Sequence, residues 1–448
     1  MHGARSMTII TIPSAPTVGK YTSSATSTPH NNTATQQREN FVTVATNSFD
    51  GQYQGIFQGF EAIEDTGGTV FIKEGVYFWD LPTEKIVLKS FGYSFVGVGK
   101  GLVTIKIEYD GTINAIESAA LLCTLTMVNI NIIWDATGAF TNQRLIELTG
   151  ANFIGDSFID CNFSIIGNNI TNFIINNTDR NLFIDRCTFN GAKIGVRSLV
   201  TSATQYSTTV TNSEIIDCLV CIDSTSNLIT VENNKLEGYT SEGILLSTTF
   251  GGGKIYFNNN KLIRGGFLSD LEYDMFISAG LCTVKDNTIL WDLNTGIQNR
   301  TINPINIKPP AVAVASDRYF RILNNTVEIL YETTNTTETA LTAVRGIRVD
   351  NIDAIGIIPA LISGNTVKID YVSAGPAAGI GYGIEGSSAS RLQINDNTID
   401  IQGSNVTIRT GINLGGDWNN ASDNRILNAT TPIVSAGAND ITLSNITV

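Results

Sequence analysis

Histidine is nearly absent from this chain of 448 residues, because the two histidines, His2 and His30, both lie close to the N-terminus. No histidine can therefore serve as a base or a metal ligand in the rest of the sequence. Charge is also scarce: Asp, Glu, Lys and Arg make up 15% of the residues, with 41 acids against 28 bases. An acidic, lysine-poor surface argues against nucleic acid or an anionic membrane as a partner.

Cysteine and long apolar runs are scarce as well. The six cysteines show no CxxC spacing, and Cys161, Cys187 and Cys282 fall at strand or corner positions. We expect them to be small buried side chains and not disulfides or metal ligands. No apolar run approaches the length of a membrane span. The sequence predicts no metal or other cofactor.

One short phrase, apolar–x–(Asn/Asp)–Asn–x–apolar, recurs ten times along the chain. Clear copies run from Val231 to Leu236, from Phe257 to Leu262 and from Val284 to Ile289. The fourth places of the ten copies are positions 161, 187, 213, 234, 260, 287, 325, 365, 397 and 424. Repeats of this length with short apolar strands are typical of solenoids, since one unit cannot bury its own apolar face.

The phrase alternates apolar and polar residues with period two, which favours β-strands. An asparagine tolerates the left-handed backbone of a sharp corner, so we expect the fourth place to be left-handed, with the amides of stacked corners hydrogen-bonded to one another. A second phrase, such as Gly243-Ile244 or Gly383-Ile384, precedes each corner and predicts the first strand of each coil. Three strands per coil account for the spacing. The predicted fold class is all-β, a right-handed parallel β-helix.

The chain divides into two predicted parts. Residues 1–48 are rich in Thr, Ser, Ala, Pro and Asn and predict a largely irregular head or attachment arm. Residues 49–448 predict the β-helix, capped at its start by a short amphipathic helix from Gly55 to Glu64. Spacings between corners grow in mid-chain and predict loop insertions at about 261–275, 288–311, 326–346 and 366–383.

The start of the predicted solenoid carries a specific resemblance. The segments EAIEDTGGTVFIKEGVYFW (61–79) and FVGVGKG (95–101) resemble the opening of the pectin-lyase-like right-handed parallel β-helix superfamily. A short head without an apolar signal segment is similar to bacteriophage tailspikes and related virion depolymerases. That resemblance implies a homotrimer on the phage tail, acting outside the cell on host surface polysaccharide such as capsule or lipopolysaccharide, with residues 1–48 attached to a tail or baseplate adaptor.

Consecutive insertions on one corner predict that the inserted loops form one side of a substrate-binding groove. The same loops could instead fill a trimer interface. Aligning the first strands on Ile244 and Phe276 puts Glu242 beside Asp274, about 4.8 Å apart. A carboxylate pair suits glycoside hydrolysis, and crowding raises one pKa as an acid catalyst requires. The predicted catalytic candidates are Glu242, Asp270, Glu272 and Asp274. A solvated acidic loop is the alternative.

Other residues predict contacts with the glycan. Tyr273, Trp291 and Trp418 are candidate platforms for sugar rings, with burial inside the coil as the alternative for Trp291. Further along the first strands, Arg345 and Tyr382 fall in the same register as Glu242 and Asp274, and Arg348 and Glu385 lie outward on the same two strands. An arginine there could hold an acidic sugar group. Arg348 and Glu385 could equally form a surface ion pair.

Three functions remain open at this point. The first is a depolymerase, with hydrolysis favoured over lyase chemistry, and the second is a glycan-binding spike or adhesin without catalysis. The third is a cellular polysaccharide lyase or epimerase. The Gly-His-Gly and Asn-Thr-Asp signatures of polygalacturonases and the dense Asp cluster of pectate lyases are absent, which argues against pectin chemistry.

Overall fold

Alternating apolar residues build a stack of β-strands in the computed structural model of the chain. The structure describes residues 41–46, 51, 53–79, 84–108, 114–118, 122–136, 143–167, 173–202, 205–241, 243–248, 253–264, 273–293, 301–309, 318–333, 343–350, 358–373, 378–386, 391–403 and 406–448. Residues 1–40 of the predicted head therefore lie outside the described residues.

The described strands form three faces, which we call the first, second and third sheets. Strands of the first sheet are Ile86–Leu88, Ile116–Ser118, Ile194–Leu199, Val220–Ser224, Ile244–Ser247, Tyr273–Ser278, Thr301–Lys308, Ala343–Val349, Ala378–Gly386, Val406–Leu414 and Thr431–Ser435. Strands of the second sheet are Phe41–Val44, Gly68–Ile72, Gly92–Gly97, Thr124–Val128, Ser207–Thr211, Leu228–Glu232, Lys254–Asn258, Leu281–Lys285, Tyr319–Leu323, Ala360–Ser363, Leu392–Asn395, Asn420–Ser422 and Ile441–Leu443. Strands of the third sheet are Gly75–Trp79, Val103–Glu108, Asn131–Ala136, Asn162–Gly167, Thr188–Asn190, Glu214–Ile216, Lys235–Tyr239, Lys261–Arg264, Thr288–Leu293, Thr326–Thr333, Thr366–Ser373, Thr398–Gly403, Arg425–Leu427 and Ile446–Thr447.

Two long strands, Arg144–Ile159 and Phe173–Asp185, run from the first sheet into the second and join them. Each coil passes through the three sheets in turn, and all the strand pairings found among the described residues are parallel, as between Ile229 and Ile255 or between Leu262 and Ile289. These four side chains are fully buried in the interior of the stack. The chain is a right-handed parallel β-helix with three strands per coil, as predicted.

A helix, α1 (Ile56–Ile63), covers the first coils and confirms the predicted cap. Its residues Ile56, Phe60 and Ile63 are buried in the core. The strand Phe41–Val44 pairs with Gly68–Ile72 and thus belongs to the second sheet. The β-helix therefore begins earlier than the predicted boundary at residue 49.

The fourth-place asparagines form the predicted ladder inside the corner between the second and third sheets. Nδ2 of Asn260 donates to Oδ1 of Asn287 (3.1 Å), and Nδ2 of Asn287 donates to Oδ1 of Asn325 (2.9 Å). The same bond continues through Asn365, Asn397, Asn424 and Asn445. The ladder fixes one corner in register from coil to coil.

The predicted position of the left-handed residue is wrong by one place. Positive φ values occur at the third place of the phrase, as at Asn233 (59°), Asn259 (54°) and Asp286 (57°). Asn233 and Asn259 are exposed, while Asn234 and Asn260 beside them are buried. The corner therefore needs a left-handed residue outside and an amide inside, which explains why two such residues stand next to each other.

Steric contacts explain why the Gly-Ile phrase contains glycine. A Cβ at Gly346 would lie 2.3 Å from Cγ1 of Val367, and one at Gly383 would lie 2.3 Å from Cγ2 of Ile399. Because Ile384, the next residue, is also fully buried, two successive positions of this strand face the interior. The strand bends there, and its outward side chains flank the bend.

All six cysteines are free and buried, as expected. Within the described ranges, no helix is long and apolar enough to cross a membrane.

Candidate functional site on the first sheet

Outward side chains of four consecutive first-sheet strands line up in rows. The strands are Tyr273–Ser278, Thr301–Lys308, Ala343–Val349 and Ala378–Gly386. One row contains Phe276, Asn306, Arg348 and Glu385. On the other side of the bend, Arg345 is paired in register with Tyr382. The two register matches predicted for Arg345, Arg348, Tyr382 and Glu385 are thus confirmed.

Glu385 is the centre of a charged cluster on this face. Its Oε2 contacts Nε of Arg345 and lies 3.8 Å from Nε of Arg348. Arg348 also approaches Asp350, with 3.5 Å between Nη2 and Oδ2. The Glu385 side chain is only 8% exposed and that of Arg345 16%, so both are removed from most of the solvent. Removing one partner of such a pair is costly, because the remaining charge is then buried without compensation.

Two asparagines extend the cluster and were not predicted from the sequence. Nη1 of Arg345 donates to Oδ1 of Asn303 (3.4 Å). Asn303 and Asn306 are 0% and 4% exposed, and among the described residues Nδ2 of Asn303 and Oδ1 of Asn306 have no hydrogen-bond partner. Buried amide atoms without partners are rare, and a bound ligand or water commonly satisfies them. The strand register was the signal that could have found them, because they precede Arg345 and Arg348 by one coil.

Tyr382 adds an aromatic ring and a hydroxyl. The Arg345 guanidinium lies 5.7 Å from its ring centroid. Burial raises the pKa of Tyr382 above its ordinary value, with a smaller contribution in the same direction from Glu385 and an opposing one from Arg345. At neutral pH the phenol is therefore protonated and can donate a hydrogen bond.

The predicted catalytic carboxylates fall mainly outside the described part of the chain. Glu242, Asp270 and Glu272 are not among the described residues. Tyr273 and Asp274 lie in the strand Tyr273–Ser278, but the described side chains of that strand begin at Met275.

The register used to pair Glu242 with Asp274 is wrong by one residue. Ile244 pairs with Met275, and not with Phe276 as the sequence alignment assumed. Met275 is fully buried, which explains the register: it occupies the inward place that we assigned to its larger neighbour. Position 274 is therefore opposite position 243, and the proposed 4.8 Å pair loses its geometric basis.

The aromatic candidates have different positions. Trp291 is 2% exposed and stacks with the Arg264 guanidinium, 4.8 Å from its ring, so the prediction of a sugar platform there is wrong. The reason is that Trp291 is an inward residue of the third sheet, paired in register with Arg264. Trp418 is 63% exposed, with a φ of 63°, at the corner that follows the strand Val406–Leu414.

The corner between the third and first sheets is the place of the predicted insertions. Strands occupy part of the predicted insertion ranges, notably Thr326–Thr333 and Thr301–Lys308. The strand Thr301–Lys308 belongs to the first sheet although it lies inside the predicted insertion 288–311, since its Ile305 pairs with Ile347. The chain between these strands at residues 265–272, 294–300, 334–342 and 374–377 is outside the described residues.

Metal binding finds no support on the described residues, since none of their His, Cys, Asp and Glu side chains form a group of three that could hold an ion. What the cluster offers chemically is a set of hydrogen-bond donors, a carboxylate and an aromatic ring on the outside of the coils.

No protein-family model matches the chain, and no curated protein matches it. Solved structures with a similar fold include a PL6 family polysaccharide lyase from Pseudopedobacter saltans, 10% identical, covering 91% of this chain and 92% of that one, with a TM-score of 0.39. A mannuronan C-5 epimerase A-module from Azotobacter vinelandii is 12% identical over 87% of this chain and 94% of its own, with a TM-score of 0.38. PfbA, a surface adhesin of Streptococcus pneumoniae, is 13% identical over 86% and 87%, with a TM-score of 0.34. Likenesses this distant carry no information about the reaction that this protein catalyses, if any. The predicted pectin-lyase-like fold agrees instead with the stacked parallel coils of the chain itself.

Proposed function

We propose that this protein recognises polysaccharide on a host cell surface with the outer face of its first sheet, and that it cleaves the chain as a glycoside hydrolase. The observation that carries the proposal is the cluster around Glu385, where buried Asn303 and Asn306 leave amide atoms without a described partner. Sugar hydroxyls both donate and accept hydrogen bonds, so a glycan supplies what these atoms lack. Arg345 and Tyr382 add a guanidinium and an aromatic ring to the same surface.

Among the proposed catalytic residues, Asp274 belongs to a described strand, which is separated from the strand of Glu385 along the solenoid axis. The strand with Asp274 lies three coils before the strand with Glu385. At about 4.8 Å per coil this separation is about 14 Å, which is larger than the ~6.5–9.5 Å between the two carboxylates of inverting glycosidases. Glu385 and Asp274 therefore do not form one catalytic pair.

This separation fits a division of roles along one bound chain. In this proposal the glycan lies along the axis and is cleaved near residues 270–274, where Asp270, Glu272 and Asp274 are the candidate acids. The cluster of Arg345, Tyr382 and Glu385 holds sugars several rings away.

The cellular role is proposed from the sequence. A phage tailspike, homotrimeric and attached to the tail through the part of the predicted head that precedes the strand Phe41–Val44, agrees with the resemblance of the opening segment and with the composition of the head. The rival functions are an adhesin without catalysis and a cellular lyase.

Incubation with a panel of bacterial capsules and lipopolysaccharides separates the three functions. We expect new reducing ends without the absorbance of unsaturated products; both signals together would mean a lyase, and binding with neither signal would mean an adhesin. Asp274→Asn and Glu272→Gln should lower kcat, whereas Glu385→Gln should raise KM with little change in kcat. Glu328→Gln, an exposed acid of the third sheet, is the matched control and should change neither.

A further inference from the structure

The second sheet carries a group of outward side chains that the proposed function does not use. Three adjacent strands, Lys254–Asn258, Leu281–Lys285 and Tyr319–Leu323, pair in parallel and in register over five residues. Alternate residues of these strands face outward, because the residues between them are buried. The nine outward residues, which we call the second-sheet patch, are Lys254, Tyr256, Asn258, Leu281, Thr283, Lys285, Tyr319, Arg321 and Leu323.

Cations are concentrated in this patch. It contains three basic residues and no acid, in a chain with a formal net charge of −13. The remaining outward strand positions described for the second sheet include the acids Asp185 and Glu232 but no lysine or arginine. The patch is therefore a local positive region on an acidic protein.

The patch cations are largely available to a ligand. Lys254 and Arg321 form no ion pair with any described residue, and Arg321 instead lies over the Tyr319 ring, 5.1 Å from its centroid. Lys285 is paired with Asp286 at the neighbouring corner (3.2 Å), but both side chains are substantially exposed. A pair as exposed as this contributes little and can exchange partners.

Spacing favours a polymer over a small ion. With about 4.8 Å between coils and about 3.3 Å per residue along a strand, the three cations lie about 8 to 14 Å from one another. No single small anion bridges such distances, whereas a chain with a charge on many of its units can contact all three. Tyr256 and Tyr319, which face outward on the same sheet, provide rings against which pyranose rings can stack.

From these observations we infer that the second-sheet patch binds an acidic polysaccharide, whose charges are sugar carboxylates or sulfates. The site is separate from the first-sheet cluster and would tether an anionic glycan to a different side of the solenoid. The inference is independent of the proposed cleavage of a glycan at the first sheet.

Binding to three polymers of matched length tests the inference: polygalacturonate, dextran sulfate and neutral dextran. We expect binding to one or both of the charged polymers and none to dextran, and the preferred polymer identifies the acidic group. The patch variant replaces all three cations by glutamine, at Lys254, Lys285 and Arg321. It should lose at least about tenfold in affinity, and the affinity of the unaltered protein should fall with added salt.

A control variant replaces three exposed cations of the third sheet by glutamine, at Lys106, Lys368 and Arg425. It removes the same total charge and should retain the affinity of the unaltered protein. Tyr319→Ala should weaken binding without changing its salt dependence, and Glu385→Gln should leave binding intact even if it impairs the first-sheet site.

Four results would overturn the inference: binding of neither charged polymer, equal losses in the patch and control variants, equal affinity for neutral dextran, or equal affinity for anionic vesicles or DNA. A patch variant that changes the oligomeric state in light scattering would show instead that the patch is an interface between copies of the chain.

Discussion

Asn287→Ala tests the physical basis of the corner. The Asn287 side chain makes three hydrogen bonds to groups of earlier residues: its Nδ2 donates to the Phe257 carbonyl (2.9 Å), and its Oδ1 accepts from the backbone N–H of Asn260 (2.9 Å) and from its Nδ2 (3.1 Å). These groups are buried, so water does not readily replace the missing side chain. At about 1–3 kcal/mol for each buried group left without a partner, we expect a loss of about 3 kcal/mol or more in the free energy of unfolding.

Asn445→Ala is the matched control, because Asn445 makes the same three bonds at the C-terminal end of the ladder. It donates to the Ala421 carbonyl (2.9 Å) and accepts from the backbone (3.1 Å) and the side chain (3.0 Å) of Asn424. Asn445 is only partly buried, so water can take its place. We expect a loss of about 1 kcal/mol or less.

Urea unfolding followed by circular dichroism compares the two variants. Because solenoids can unfold in parts, amide hydrogen exchange at Asn260 localises the effect. Equal losses in the two variants, or undiminished protection at Asn260 in Asn287→Ala, would refute the argument that burial makes the ladder stabilising.

Two further predictions concern the first sheet. Gly383→Ala should lose about 1–3 kcal/mol in urea unfolding, because its Cβ would meet Ile399, while Gly55→Ala, whose Cβ would make only ordinary contacts with the Gln58 side chain (3.8 Å), should lose less; equal losses would contradict the steric argument. Since the pKa of Tyr382 is raised, its phenol stays protonated up to and beyond its ordinary value of 10.0, so Tyr382→Phe should weaken glycan binding and leave the pH–rate profile unchanged below about pH 10. Loss of the alkaline limb of the profile in this variant would mean that Tyr382 acts as a general acid.

The repeat was sufficient to predict the fold. Its period, the alternation of its strands and the asparagine corners together predicted a three-sided parallel stack, and the cap helix followed from its apolar spacing. The backbone of the corner was less determined, because two adjacent Asn or Asp residues could each have been the left-handed one. Only the buried ladder distinguishes Asn260, which points inward, from Asn259.

The alignment of site residues between coils was predicted correctly where a Gly-Ile phrase in each strand fixed the register. The Gly-Ile phrases aligned Arg348 with Glu385 correctly, because glycine is sterically required there. The strand that contains Met275 lacks this phrase, and two apolar neighbours, Met275 and Phe276, compete for the inward place. A one-residue error then exchanges inward and outward faces, which is why the alignment of Asp274 failed.

The most direct test of the central proposal is a crystal structure of the protein with an oligosaccharide released from a susceptible host polysaccharide. We predict sugar density along the outer face of the first sheet, with hydroxyls bonded to Asn303 and Asn306 and a ring near Tyr382. An oligosaccharide bound only on the second or third sheet, with the Glu385 cluster unoccupied, would contradict the proposal.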